Sequence, residues 1–236
     1  IGGGSIDWDN QLTGYVAGTA ASPVTATSTG NEAIYVNVAS GTLTINVTAG
    51  ASVPSIRSAG AIVNVVAGAV TYKITVQDTA GTVIQDARVF FPVAAGGSLF
   101  FQASVTIARI GTVATVTHTN HGLSNGDKIV IRGVDQSEYY GIHTVSNVTT
   151  NTYDYTVAGS PTTPATGTIT STYVLISALT DVLGVVQGSK TFATNQPIGG
   201  NVRKSSASPY YKTGAIVGSI NKDTGLDLTI TLLSDE

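Results

Sequence analysis

VATVTHTNHGLSNGDKIVIRGVDQSEYYGIHTV, residues 113–145, is the stretch whose reading decides the fold. Val113, Thr115 and Thr117 alternate with Ala114, Val116 and His118, the period of two that puts successive side chains on opposite faces of a strand. His121-Gly122-Leu123-Ser124-Asn125-Gly126-Asp127 then reads as a double turn, Ile129, Val130 and Ile131 as a buried strand, and Asp135 to Gly141 as a loop before strands at Ile142–Val145 and Tyr153–Val157. The rest of the chain follows the same rule. Apolar residues recur at period two between clusters of Gly, Asn, Asp and Ser, and no helical period appears. Ala178 to Leu183 reads as a strand end followed by a turn at Gly184. The expectation is an all-β chain.

Composition narrows the function classes. Only 11% of the 236 residues are charged, against about 25% in an ordinary soluble domain. The net charge is −3, so there is no basic surplus to neutralise phosphates, and nucleic acid is not expected as a partner. No apolar run approaches the ~18 residues of a membrane span, and no membrane partner is expected. There is no Cys, so stability must come from β-packing or from subunit association. The mean hydropathy is +0.24. With so few charges, that value points to surface buried against neighbouring subunits. A chain that lacks Met and begins at Ile1 is expected to be a processed product, a trimmed chain or the ordered part of something longer.

Three regions can be drawn. Residues 1–68 are rich in Gly, Ala and Thr, with alternating runs at Ile34–Val38, Leu43–Val47 and Ile62–Val66 separated by Gly30, Gly41, Gly50 and Gly60. Two readings stand side by side: a stacked, solenoid-like β-coil or a meander with Gly turns. Residues 69–104 carry VTYKITVQDTAGTVIQDARVFF, which resembles the opening hairpin of carboxypeptidase-regulatory-like and bacterial Ig-like domains. In those a V-x-D-x-x-G turn precedes a small-residue strand. Residues 105–171 hold the H-G-L-x-x-G-D motif at His121–Asp127, followed by Ile129-Val130-Ile131-Arg132-Gly133 where the pattern has V-x-I-x-G. This pattern resembles a small β-barrel module found in phage tail, baseplate and other virion proteins, and in the first catalytic cysteine half-domain of ubiquitin-activating enzymes. Tyr140 departs from it, where the module often has Asn. The resemblance implies fold and virion context, not catalysis. Ser160 to Gly167 is a linker by composition. Residues 172–236 resume the strand pattern, and Thr180-Asp181-Val182-Leu183-Gly184-Val185 resembles the T-D-x-x-G-V turn of the carboxypeptidase-regulatory-like pattern. This block also resembles the ends of structural proteins of marine tailed phages. The expected architecture is therefore an N-terminal β segment (1–68) that makes oligomer or particle contacts, a discontinuous Ig-like β-sandwich (69–104 with 172–236), and an inserted small β-barrel module (105–171).

The chemistry-bearing residues are few. His118, His121 and His143 are the only histidines. The spacing of the first two across a strand-to-turn junction is not that of paired zinc ligands, so the H-G-L histidine is expected to hydrogen-bond its own turn. Asp7-Trp8-Asp9-Asn10 begins like a calcium loop, but Gly at the sixth position and Glu at the twelfth are absent. No G-x-S-x-G, H-E-x-x-H or phosphate-binding loop occurs. No catalytic residue, metal or cofactor is expected. The contact candidates are Trp8, as an aromatic anchor, and the polar-aromatic cluster of Arg203, Lys204, Tyr210, Tyr211 and Lys212, which suits a neighbouring subunit, a host-surface glycan or the edge of a sandwich core. The reading is a structural component of a bacteriophage virion on the particle exterior: a capsid decoration or a tail or fibre subunit, a homotrimer bound to other virion proteins. A bacterial surface adhesin or filament subunit built from Ig-like modules, and a carbohydrate-binding accessory, are the alternatives.

Overall fold

The computed structural model describes residues 4–8, 34–37, 39–47, 51 and 55–235. The described chain is all-β, with a single 3-10 turn at Ser137–Tyr139. It forms two compact units, Ile1–Thr71 with Ser189–Thr191 and Lys222–Gly225, and Tyr72–Gly188 with Phe192–Asn221 and Leu226–Glu236.

In the first unit, β1 (Gly4–Trp8), β3 (Thr42–Val47) and β5 (Ile62–Ala67) make one sheet, and β2 (Ile34–Val36) and β4 (Ile56–Ser58) another. Among the described residues every pairing of these strands is parallel and in register: Ile6 beside Ile45 beside Val65, and Ile34 beside Ile56. A meander would pair neighbours antiparallel, so that reading is overturned. Consecutive strands alternate between two sheets, and each sheet gains a parallel strand per coil. Val36, Ile45, Val47 and Ile56 fill the space between them. On the outside, the Arg57 guanidinium lies 3.6 Å from the ring centroid of its register partner Tyr35, a cation–π contact.

The second unit is built on a long sheet ordered β12 (Gly141–Thr144), β11 (Lys128–Val134), β14 (Gly167–Leu179), β7 (Arg88–Pro92), β16 (Gln196–Lys204) and β17 (Tyr211–Ile220), with β8 (Ala103–Ser104) also on β14. Its β7, β16 and β17 half packs on a three-stranded sheet, β15 (Val185–Lys190), β6 (Val70–Asp78) and β18 (Leu226–Leu232). The alternation of β7 decides the layering. Val89 and Phe91 are fully buried while Arg88 is exposed, and Phe91 meets the Tyr72 ring edge-on at 5.9 Å. Val76 and Ile230, from distant parts of the chain, are register partners in β6 and β18.

Residues 105–171 supply a third sheet, β13 (Thr152–Thr156), β10 (Val113–Thr117) and β9 (Thr106–Ile110), over a core that includes Ile107, Val116, Ile129, Ile131, Tyr139, Tyr153 and Tyr155. The closed barrel expected here is not formed among the described residues. The seams are thin: Ser146 bridges Asp154 on one side, and on the other Val105 donates to Ile169 O and Ala165 to Ile107 O. The reason is β14, which is shared. Its first half pairs with β11, and its last residues, Ile176 to Leu179, pair with β7. A boundary at residue 171 therefore falls inside a strand. Gly133 sits at the bulge that bends β11 away, with φ of +70°. A Cβ there would run into the Thr168 carbonyl oxygen, which leaves only Gly at that position.

Candidate functional site

The cluster expected at 203–212 is a hairpin end. β16 stops at Lys204, β17 restarts at Tyr211, and Ser205 to Tyr210 form an exposed loop between them. Tyr211 turns inward and is buried. Its neighbours Tyr210 and Lys212 therefore face outward, as does Arg203, which follows buried Val202. Lys204 is the register partner of Tyr211 and half-buried, so the structure separates it from the outward set. Trp8 lies in β1 beside Val47. Its side chain is outside the described residues, as are Asp9 and Asn10.

The sheet adds a residue that sequence reasoning missed. Arg88 is the register partner of Arg203. On the far side of Arg203, β17 carries an extra residue, so Lys212 and Thr213 stand opposite it between the pairs Val202–Gly214 and Lys204–Tyr211. Three cations thus form one row across three strands, with neighbouring strands about 5 Å apart. Among the described residues, Arg203 and Lys212 have no side-chain hydrogen bond or ion pair, and Arg88 has only a bond from Nη2 to Ser177 Oγ at 3.1 Å. That bond takes the Arg88 head toward β14, away from Arg203, as like-charge repulsion requires. The signal in the sequence was slight: Arg88 lies in outward phase before Val89, and nothing local connects it to Arg203.

Next to this row, β14 and β15 border a cleft of about 340 Å³ lined by Lys128, Ser177, Leu179, Asp181, Val185 and Gln187 among others. Lys128 Nζ donates to Ser177 O at 3.2 Å. Asp181 Oδ1 is committed to the turn, accepting from the Leu183 and Val185 N–H groups at 2.9 Å each. The cleft brings together one cation and one structural carboxylate, without a nucleophile–base pair. The turn that closes it, expected from Thr180 to Val185, exposes Val182 at 68% and Leu183 at 66%.

The histidines behave as turn and core residues. Leu123 N–H donates to His121 Nδ1 at 3.0 Å, which leaves the proton of the neutral ring on Nε2, a buried atom without a partner. With Nδ1 held as an acceptor and Nε2 protonated, His121 is poorly disposed to ligate a metal. His118 packs edge-on to Phe100 at 4.5 Å; burial, then neighbouring His121, holds its pKa below the ordinary value. His143 stacks on Tyr155 at 3.9 Å, and burial outweighs its hydrogen bond to Tyr139 O to lower its pKa too. Desolvation pushes the phenol of Tyr153 up to about 12; it donates to Ser171 Oγ at 2.9 Å. Among the described residues no three His, Cys, Asp or Glu groups gather as a metal site, and no helix is long and apolar enough to cross a membrane.

No family model matches the chain, and no curated protein matches it. Its structure is similar to a phage phi92 endosialidase, with a TM-score of 0.26 and 16% identity, over 62% of this chain and 24% of that one. The match therefore spans about a quarter of the endosialidase, and a likeness at that level carries neither its activity nor its substrate to this chain.

Proposed function

We propose that this chain is a structural component of a bacteriophage particle, without enzymatic turnover, that works through contacts with copies of itself and with other virion proteins. The observation that supports it is the amount of large apolar side chain left on protruding positions. Ile110 is 89% exposed, Val217 79%, and Val182 and Leu183 about two-thirds. They sit on a hairpin turn, an edge strand and a tight turn, where polar residues are the rule. The resemblance of residues 105–171 to modules of phage virion proteins gives the setting. A closed homo-oligomer, a trimer by preference, hides such surface economically. Whether its place is head or tail follows from the test. Density-purified particles are analysed by quantitative mass spectrometry, with host envelope as the comparison. A fixed copy number per particle in multiples of three supports the reading; recovery in the host envelope and not in particles refutes it.

A further inference from the structure

We propose that the row Arg88–Arg203–Lys212 is a binding site for the carboxylate groups of an acidic polysaccharide. The site is separate from the apolar contact surfaces and does not depend on them.

The argument begins with the cost of the row. Like charges directly opposite each other on adjacent strands repel, and Arg88 and Arg203 are such a pair. The chain has 14 acidic residues for 11 basic ones, so carboxylates to neutralise the row were available. The register places none there: Arg203 is flanked by Arg88 on one side and by Lys212 and Thr213 on the other. The carboxylates that the chain and its topology bring toward the row are Asp86, two residues before Arg88, and Asp235, whose backbone N–H bonds to Tyr210 O. Two cations elsewhere are paired with carboxylates, Lys73 with Asp227 at 2.7 Å and Lys222 with Asp223 at 2.7 Å, and Lys128 and Arg109 donate to backbone carbonyls. An unneutralised row of donors is complementary to anions that the protein does not supply.

The form of the site selects the anion. Guanidinium forks match carboxylates two bonds at a time, and Arg203 keeps its whole fork available. Sites one strand apart suit anions repeated along a chain. In the loop that joins Arg203 to Lys212, Tyr210 presents 43% of its surface, and Ser205 and Ser206 are exposed. An exposed aromatic residue and hydroxyls in one loop suit a sugar's apolar face and hydroxyls. Three cations on a chain of net charge −3 are too few for a nucleic-acid footprint, which needs many phosphate contacts.

The test titrates the full chain with polygalacturonate, dextran, polyglutamate and oligothymidylate at low salt. Polygalacturonate binds, dextran does not, and binding weakens as salt rises. R88Q and R203Q each lower the polygalacturonate affinity about tenfold, D235N raises it, and K222Q leaves it unchanged. R203K recovers only part, because the fork is lost. All four positions are exposed, so circular dichroism and the unfolding midpoint stay at the parent's values, with R203Q at or above it. Absence of polygalacturonate binding, equal binding by the R88Q/R203Q double variant, or equal or tighter binding of polyglutamate or oligothymidylate would overturn the proposal.

Discussion

Single residues hold several of the joints. Thr180, just after β14, is buried against the 84–87 segment that leads into β7, where its Oγ1 donates to Ile84 O at 2.7 Å and accepts from Ala87 N–H at 2.9 Å. Thr180→Val keeps the shape and strands both partners, which should cost about 1–3 kcal/mol, read as a lower urea midpoint at constant slope. Gly133→Ala forces a left-handed φ on a side chain that meets a carbonyl, and should cost about 2 kcal/mol or more. His118 and His143 set a pH dependence. Burial lowers both pKa values in the folded state, so below about pH 6.5 the unfolded chain takes up protons that the folded chain refuses. Stability is full above that pH and falls as pH drops toward the folded-state values. A melting temperature that declines from pH 7 to 5.5, with a shallower decline in H143Q, is the expected result; a flat profile in the parent chain contradicts it.

Among the elements, the strands were legible and their partners were not. The alternation at Val113–Thr117 and the Asp-x-x-Gly turn at Asp78–Gly81 are local patterns, and the structure has both: Asp78 Oδ1 accepts from Ala80 and Thr82 N–H at 2.9 and 2.8 Å, and Gly81 has φ of +83°. The H-G-L turn was legible for the same reason, because the ring binds a backbone group two residues on. What was illegible is non-local. Nothing near Arg88 announces Arg203, and nothing near Gln196 announces that its buried amide accepts from Leu99 N–H and donates to Pro197 O, both at 2.9 Å. The barrel failed as an expectation because strand sharing by β14 is decided by two partners at once. Gln196→Leu should therefore release the 94–99 segment, seen as faster amide exchange there with the rest of the sheet protected. The same reasoning applies to β17, a ten-residue strand at the end of its sheet. Among the described residues its far side is engaged only near Tyr211 and Lys212, by Ser234 and Leu233, and no charge occurs from Thr213 to Ile220. Such edges invite pairing unless charged. Val217→Lys should reduce self-association in light scattering while leaving the fold intact.

At the scale of the whole molecule, few charges, exposed apolar turns and an edge strand open along most of its length support the proposed function, a chain held by its neighbours. Its central test is imaging of the assembled particle by electron cryo-microscopy, at a resolution that shows side-chain contacts. The expected result is density for this chain in repeated copies, with Val182, Leu183 and Val217 buried against adjoining subunits over an interface of at least about 1,000 Å². Particles that lack the chain, or copies whose Val182–Leu183 turn and β17 edge both stand free in solvent, would contradict it.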